Sequence, residues 1–283
     1  MEIKIDKFDG GKMLVNRQYR ELLETNKLLT AASLWKLNGE SVKNVVKERA
    51  TERCQLTTVD GKIIDVFIKR YLPIPFKEKF KNRLYFKPYN FTAIHEWEAI
   101  MAFHRHDLPT MIPLAVAELP DGRSCNLTLG ITDYQRVSEW LPKLNDATRK
   151  QQLIDNTAEY MGRMHRCGMA HQDFYLVHMF IREQEHDRLY MIDLQRVLMQ
   201  KTLQRRWRVK DLAQLLFAAA DYVDQTAIAA FWTKYCEFAG SEYLNCKSLT
   251  NAIKRKAERI HRHDAKRAAR RKQAAQKLIL SKN

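Results

Sequence analysis

The sequence predicts an α+β fold in two lobes, a strand-rich one over residues 1–135 and a helical one over residues 136–283. Two observations carry this division. ERCQLTTVDGKIIDVFIKR alternates apolar or β-branched residues with polar ones around Asp60-Gly61, which reads as a two-residue hairpin turn. Beyond Asp146 the apolar repeat lengthens to three and four residues, first in DATRKQQLIDNTAEYMGRMHRCG and again in VKDLAQLLFAAADYV.

Each element is justified in turn. Arg17 to Leu29 reads as a short helix with Leu22, Leu23, Leu28 and Leu29 near one face, and SLWKLNG as a strand ahead of the hairpin. The basic, proline-punctuated YLPIPFKEKFKNRLYFKPYN reads as a connection. From Thr92 the pattern is helical, with Ile94, Trp97, Ile100 and Met101 at helical steps and Asn90 or Thr92 as the cap. DLPTMIPLAVAEL and NLTLGITDY return to strand. In the second lobe Leu153, Thr157, Tyr160, Met161 and Met164 share one face of a long helix that Gly168 stops. Short strands at MFIRE and RLYMIDL precede helices at VKDLAQLLFAAADYV and around AIAAFWTKYCEFA, and a basic tail.

The chain has 283 residues and a net charge of +16. No apolar run approaches the roughly 18 residues of a spanning helix, and MEIKIDKFDGGK lacks the apolar core of a signal peptide. Five scattered cysteines without a CxxC pair point to a reducing compartment, with cytoplasm as the default. Between Lys254 and Lys277 eleven Lys and Arg stand against Glu258 and Asp264, so partners bearing phosphate are implied. This tail has three readings: a solvated helix with a thin seam of Ile253, Ala257 and Ile260, a helix docked on anionic lipid, or, less favoured, a nucleic-acid clamp. His104-x-His106 and His261-x-His263 lack ligand partners beyond the adjacent aspartates and are expected at the surface.

Phosphoryl transfer needs a cation for the nucleotide phosphates, an acid for magnesium and a carboxylate for the acceptor hydroxyl. The chain offers each in a workable order. Lys69 ends the apolar strand VFIK. Glu96, in competition with Glu98, sits on the next helix to pair with it. Asp173 lies in the loop after the long helix, and Asp193 ends the strand LYMI, where a carboxylate suits a hard cation.

These residues bring out a resemblance. RMHRCGMAHQDFYLVH resembles the protein-kinase catalytic loop, and MIDLQ stands where that family has D-F-G. The sequence resembles more closely the lipopolysaccharide core kinase family of Kdo/WaaP type, in His171-Gln-Asp173-Phe-Tyr175-Leu-Val-His178, in Ile192-Asp193-Leu194-Gln-Arg196, in RWRVKDLAQLLFAA and in HEWEAIMAFHRHDLPT. It extends from about Tyr19 to the tail.

The resemblance implies a bilobal protein-kinase-like fold and an ATP- and Mg²⁺-dependent kinase acting on a sugar hydroxyl of the lipopolysaccharide inner core, heptose first. It implies a lipid A-core acceptor and a peripheral place at the inner face of the inner membrane of a Gram-negative bacterium. Asp173 is then the base or hydroxyl-orienting group and Asp193 the metal ligand. His178 stands where protein kinases carry asparagine and contacts metal or phosphate, or else the catalytic aspartate. His171 and Asp211 brace the loop, and Gln172 replaces the arginine that reads a phosphorylated activation segment. No glycine-rich roof precedes Lys69, so backbone amides with Lys43, Lys47 and Arg49 would cover the phosphates. Phe67 would pack on adenine, and Thr132 to Gln135, including Asp133, would form the hinge. A Kdo kinase, a protein kinase of this fold and a non-catalytic binder of RNA or membrane are the rivals. The oligomeric state is not legible.

Overall fold

The structure, a computed structural model, describes residues 3–46, 49–73, 92–182 and 188–280. It divides into two compact units, Met1–Gln135 with Phe180–Met199, and Arg136–Met179 with Gln200–Asn283. The segment Phe180–Met199 thus groups with the first unit, where the sequence division put it with the second.

In the first unit the chain runs β1 (Ile5–Phe8), β2 (Met13–Asn16), α1 (Arg20–Thr25), α2 (Ala31–Trp35), β3 (Glu40–Val46), β4 (Arg49–Thr57), β5 (Ile63–Tyr71), α3 (Ala93–Arg105), β6 (Pro113–Glu118) and β7 (Ser124–Leu129). The strands form one antiparallel sheet in the order β1-β2-β6-β7-β5-β4-β3. Strand alternation gives the sheet two distinct faces. Val66 and Ile68 of β5, with Met13, Val15 and Leu127, pack under Leu22, Leu23 and Leu34 of the two short helices. Each fully buried side chain of this kind stabilises the unit by about 1.5–3 kcal/mol. The opposite face carries Tyr71 and Val116 and packs on Ala93 and Trp97 of α3. Lys69 belongs to this second face, two residues from Tyr71, and its register partner on β7 is Asn126.

Three sequence expectations change here. The helix expected over residues 17–29 stops at Thr25, with Leu22 and Leu23 buried. SLWKLNG is not a strand at its start: Thr30 caps Ala31–Trp35 through a reciprocal bond with Ser33, and local capping overrides the β-like alternation. The hairpin turn is not a two-residue loop. Thr58 N–H reaches the Lys62 carbonyl and Gly61 N–H the Thr58 carbonyl, so Val59, Asp60 and Gly61 lie between the strands, with Gly61 at a φ of +80°.

Thr92 is the cap of α3, its Oγ1 accepting from His95 N–H at 3.2 Å, while Asn90 lies outside the described residues. The buried side of α3 comprises Ala93, Glu96, Trp97, Ile100 and Phe103 at helical steps, and Glu96 lies in the first turn, where the helix dipole favours a carboxylate. Ile94 and Met101 are only half-buried.

The second unit is built on α4 (Ala147–Arg166), α5 (Arg205–Ala219), α6 (Gln225–Ala239) and α7 (Lys247–Leu280), with α4 packed on α6 and α5 on α7. Asp146 caps α4 through the N–H groups of Thr148 and Arg149. Gly168 ends it at a φ of +76°, so close to Gln200 that a Cβ would strike the Gln200 carbonyl. The face of Leu153, Thr157, Tyr160, Met161 and Met164 is buried as the spacing predicts. On α7 Leu249, Ile253 and Ala257 are buried, whereas residues 261–273 are exposed throughout.

Candidate active site

In the first unit, Lys69 Nζ lies 2.6 Å from Glu96 Oε1 and 3.0 Å from Asp193 Oδ1. Glu96 is fully buried, and its other oxygen accepts from Tyr71 Oη and Asn126 Nδ2, each at 2.8 Å. A buried carboxylate therefore has a cation and two neutral donors, which offsets the cost of removing it from water. The competitor Glu98 is exposed. Burial opposes the charge on Lys69, but Asp193 and Glu96 together outweigh it and raise its pKa above the ordinary lysine value.

Asp193 follows the strand Arg188–Met191 and has a left-handed φ of 64°, a conformation aspartate tolerates better than most residues. Its segment is pinned on both sides. Thr110 Oγ1 donates to the Met191 carbonyl at 2.7 Å, and His95 Nε2 lies 3.0 Å from the Val197 carbonyl. Phe67 is half-buried on the strand face of Lys69, and Asp133 is exposed at a φ of 62°. Lys47 and the side chains of Lys43 and Arg49 lie outside the described residues.

In the second unit, α5 holds the loop that carries Asp173. Asp211, fully buried, accepts from the N–H groups of His171 at 2.7 Å and Gln172 at 2.8 Å. His165 Nε2 stands 3.4 Å from the same carboxylate, and its Nδ1 is 2.9 Å from Tyr235 Oη, which Arg208 also contacts. Burial pushes the His165 pKa below the usual imidazole value despite Asp211, so the ring is neutral. Gln214 Oε1 accepts from Phe174 N–H at 3.1 Å and its Nε2 donates to the Gln172 carbonyl at 3.0 Å, while Lys210 Nζ donates to Gln172 Oε1 at 3.2 Å.

His178 Nδ1 lies 2.8 Å from the backbone carbonyl of Asp173. A carbonyl only accepts, so Nδ1 carries the proton, and in the neutral ring Nε2 keeps its lone pair. Asp173 N–H in turn donates to His171 Nδ1 at 3.3 Å. Of the other basic residues near this loop in sequence, the guanidinium of Arg206 stacks over Trp207 at 4.6 Å and Arg196 sits in the short turn after Asp193. His104, expected at the surface, is half-buried with Nε2 3.0 Å from the Met111 carbonyl, and burial lowers its pKa.

A family model described as lipopolysaccharide kinase (Kdo/WaaP) family matches residues 32–235. The chain belongs to that family. The kinase is 30% identical over 190 residues to the lipopolysaccharide core heptose(I) kinase WaaP of Pseudomonas aeruginosa, covering 62% of this chain and 70% of the relative. It is 29% identical over 246 residues to the enzyme of that name from Escherichia coli strain K12, covering 81% and 90%. A solved structure titled WaaP in complex with acyl carrier protein superposes with a TM-score of 0.68 at 23% identity, over 91% of this chain and 99% of that one. The kinase therefore has the α+β, protein-kinase-like fold.

Tyr71, Asn126, His165 and Gln214 escape sequence reasoning. Tyr71 and Asn126 were detectable only through strand parity: both share the face of Lys69, but neither residue type marks chemistry on its own. Gln214 lies three residues after Asp211 on one helix face, a spacing that signals a shared target once Asp211 is known to brace the loop.

Proposed function

We propose that this kinase transfers the γ-phosphate of ATP to a sugar hydroxyl of the lipopolysaccharide inner core, heptose in the first instance. The observation that carries the proposal is the cluster of Lys69, Glu96 and Asp193 in a chain of this family. Lys69, held straight by Glu96, is the fixed cation for the α- and β-phosphates. Asp193 offers the oxygen donor that magnesium prefers, an ion that commonly binds one or two carboxylates plus substrate phosphates. His178 Nε2 is the second candidate ligand, since a ring whose Nδ1–H is anchored on a carbonyl has the usual orientation of a metal-binding histidine. Bound magnesium supplies positive charge against the phosphate oxygens. Asp173 orients the acceptor hydroxyl and takes its proton, with His171 and Asp211 holding its loop. Phe67 packs on the adenine, and the segment carrying Asp133 bonds the base through its main chain.

Among the described residues no helix is long and apolar enough to cross a membrane. The acceptor carries lipid, and the basic α7 supports a peripheral position at the inner face of the membrane. A second partner reading has its own observation. The second unit contains an apolar cavity of about 160 Å³ lined by residues including Leu153, Ile154, Leu212, Leu216, Phe231 and Ile253. The solved neighbour was captured with acyl carrier protein. We propose an acyl carrier protein as a partner of this chain as well.

The test is mass spectrometry of purified core glycolipid incubated with the protein, ATP and magnesium. One added phosphate on heptose is expected. Phosphate on Kdo instead, or on added proteins without glycolipid, would transfer the assignment to those acceptors. No transfer at all would favour a non-catalytic binder.

A further inference from the structure

Asp211 and Gln214 lie one helical turn apart on the buried side of α5, and both side chains reach main-chain groups of the catalytic loop. Their tasks differ. Asp211 collects N–H groups ahead of Asp173. Gln214 spans Asp173 itself. Its Nε2–H donates to the Gln172 carbonyl, which belongs to the peptide plane before Asp173, and its Oε1 accepts from Phe174 N–H, which belongs to the plane after it. The orientations of these two planes about one Cα are the φ and ψ of that residue. One carboxamide thus fixes the backbone angles of Asp173 and with them the direction of its Cα–Cβ bond.

The loop needs such a clamp. Gln172 has a left-handed φ of 66°, a conformation that persists in a non-glycine residue only when its surroundings over-determine it. Gln172 is fully buried and Gln214 nearly so, so water is not at hand to replace a lost bond. Chemistry also restricts the side chain. The clamp needs one donor and one acceptor on a planar group of this reach. Glutamate at neutral pH lacks the donor, and methionine lacks a donor and a strong acceptor.

We infer that Gln214 is a positioning residue for phosphoryl transfer, aiming Asp173 by holding the peptide planes on both sides of it. The inference rests on the reading of Asp173 as the hydroxyl-orienting group. Misplacement of a reacting group by about 1 Å costs on the order of 100-fold in rate, and substrate binding by groups elsewhere is spared. The experiment measures kcat and the ATP KM for wild type, Gln214→Glu, Gln214→Met and Asp173→Asn, with purified core glycolipid, at a temperature where circular dichroism shows each variant folded. Both Gln214 variants are expected to lose about 10- to 100-fold in kcat with the ATP KM within about twofold of wild type. Gln214→Glu matches the native side chain in size and keeps the acceptor, so it carries the test if Gln214→Met does not fold. Undiminished kcat in Gln214→Glu beside an inactive Asp173→Asn overturns the inference and leaves the Asp173 reading intact, as does a kcat loss matched by a rise in ATP KM. Full activity in Asp173→Asn overturns the reading on which the inference rests.

Discussion

Lys69 sits between two carboxylates, 2.6 Å from one and 3.0 Å from the other, and so acts as a fixed cation rather than a proton carrier. Its pKa is raised in the folded state, so the stability it contributes is fully present below the ordinary lysine pKa of about 10.4 and is lost only as pH rises through the folded value. Lys69→Met removes the cation and leaves Glu96 with Tyr71 and Asn126 alone. We expect a loss of roughly 3 kcal/mol in chemical denaturation and a fall in kcat of about 10²- to 10³-fold. His165 has the opposite sign. Burial holds its folded pKa below the unfolded value of about 6.5, so the neutral ring favours folding above that pH. That contribution is lost as pH falls from 6.5 toward the folded pKa, because the unfolded chain takes up the proton more readily. The melting temperature should therefore drop on acidification below about 6.5, and His165→Gln should flatten the slope. An unchanged slope in that variant would remove His165 from the account.

Among the elements, β5 and α3 carry the Lys69–Glu96 pair, and α5 carries Asp211 and Gln214, which hold the loop of Asp173. Their existence was legible because each carries a strong period: two in VFIK, three and four in HEWEAIMAF and KDLAQLLF. The pairing of Lys69 with Glu96 was legible only as a competition with Glu98, in which the family resemblance favours Glu96 and the structure decides for it, buried and 2.6 Å from Lys69. Three things were not legible. Capping chemistry at Thr30 turned an alternating stretch into helix. Gly61 lengthened a turn whose Asp-Gly pair reads as two residues. The third arm of the Lys69 cluster, its contact with Asp193, joins residues far apart in sequence, and nothing in either local pattern encodes it. The tail helix α7 carries its own prediction. Its buried seam ends at Ala257, with Ile260 half-buried, and residues 261–273 are exposed. Removing residues after His261 should leave the melting temperature nearly unchanged. It should weaken sedimentation with vesicles containing anionic lipid, each cation contributing up to about 1 kcal/mol near the surface. Equal vesicle binding by the truncated and full chains would argue against membrane docking by this helix.

For the whole molecule, charge and cavity point to different kinds of partner. The net charge of +16 acts at long range on anionic surfaces and is weakened by salt. The apolar cavity of the second unit acts only at contact. If acyl carrier protein engages that cavity, Leu212→Lys should abolish co-elution with purified acylated carrier in gel filtration, while a charge reversal on α7 should alter it mainly at low salt. Retained co-elution of the Leu212→Lys protein would exclude the cavity as the binding element. The central claim is that Asp173 and Asp193 together make this chain a kinase of lipopolysaccharide core sugar. It is tested most directly by incubating purified core glycolipid with ATP, magnesium and either wild type, Asp173→Asn or Asp193→Asn, and reading the glycolipid by mass spectrometry. One added phosphate with wild type and none with either variant is the predicted result; phosphorylation undiminished in Asp173→Asn would contradict it.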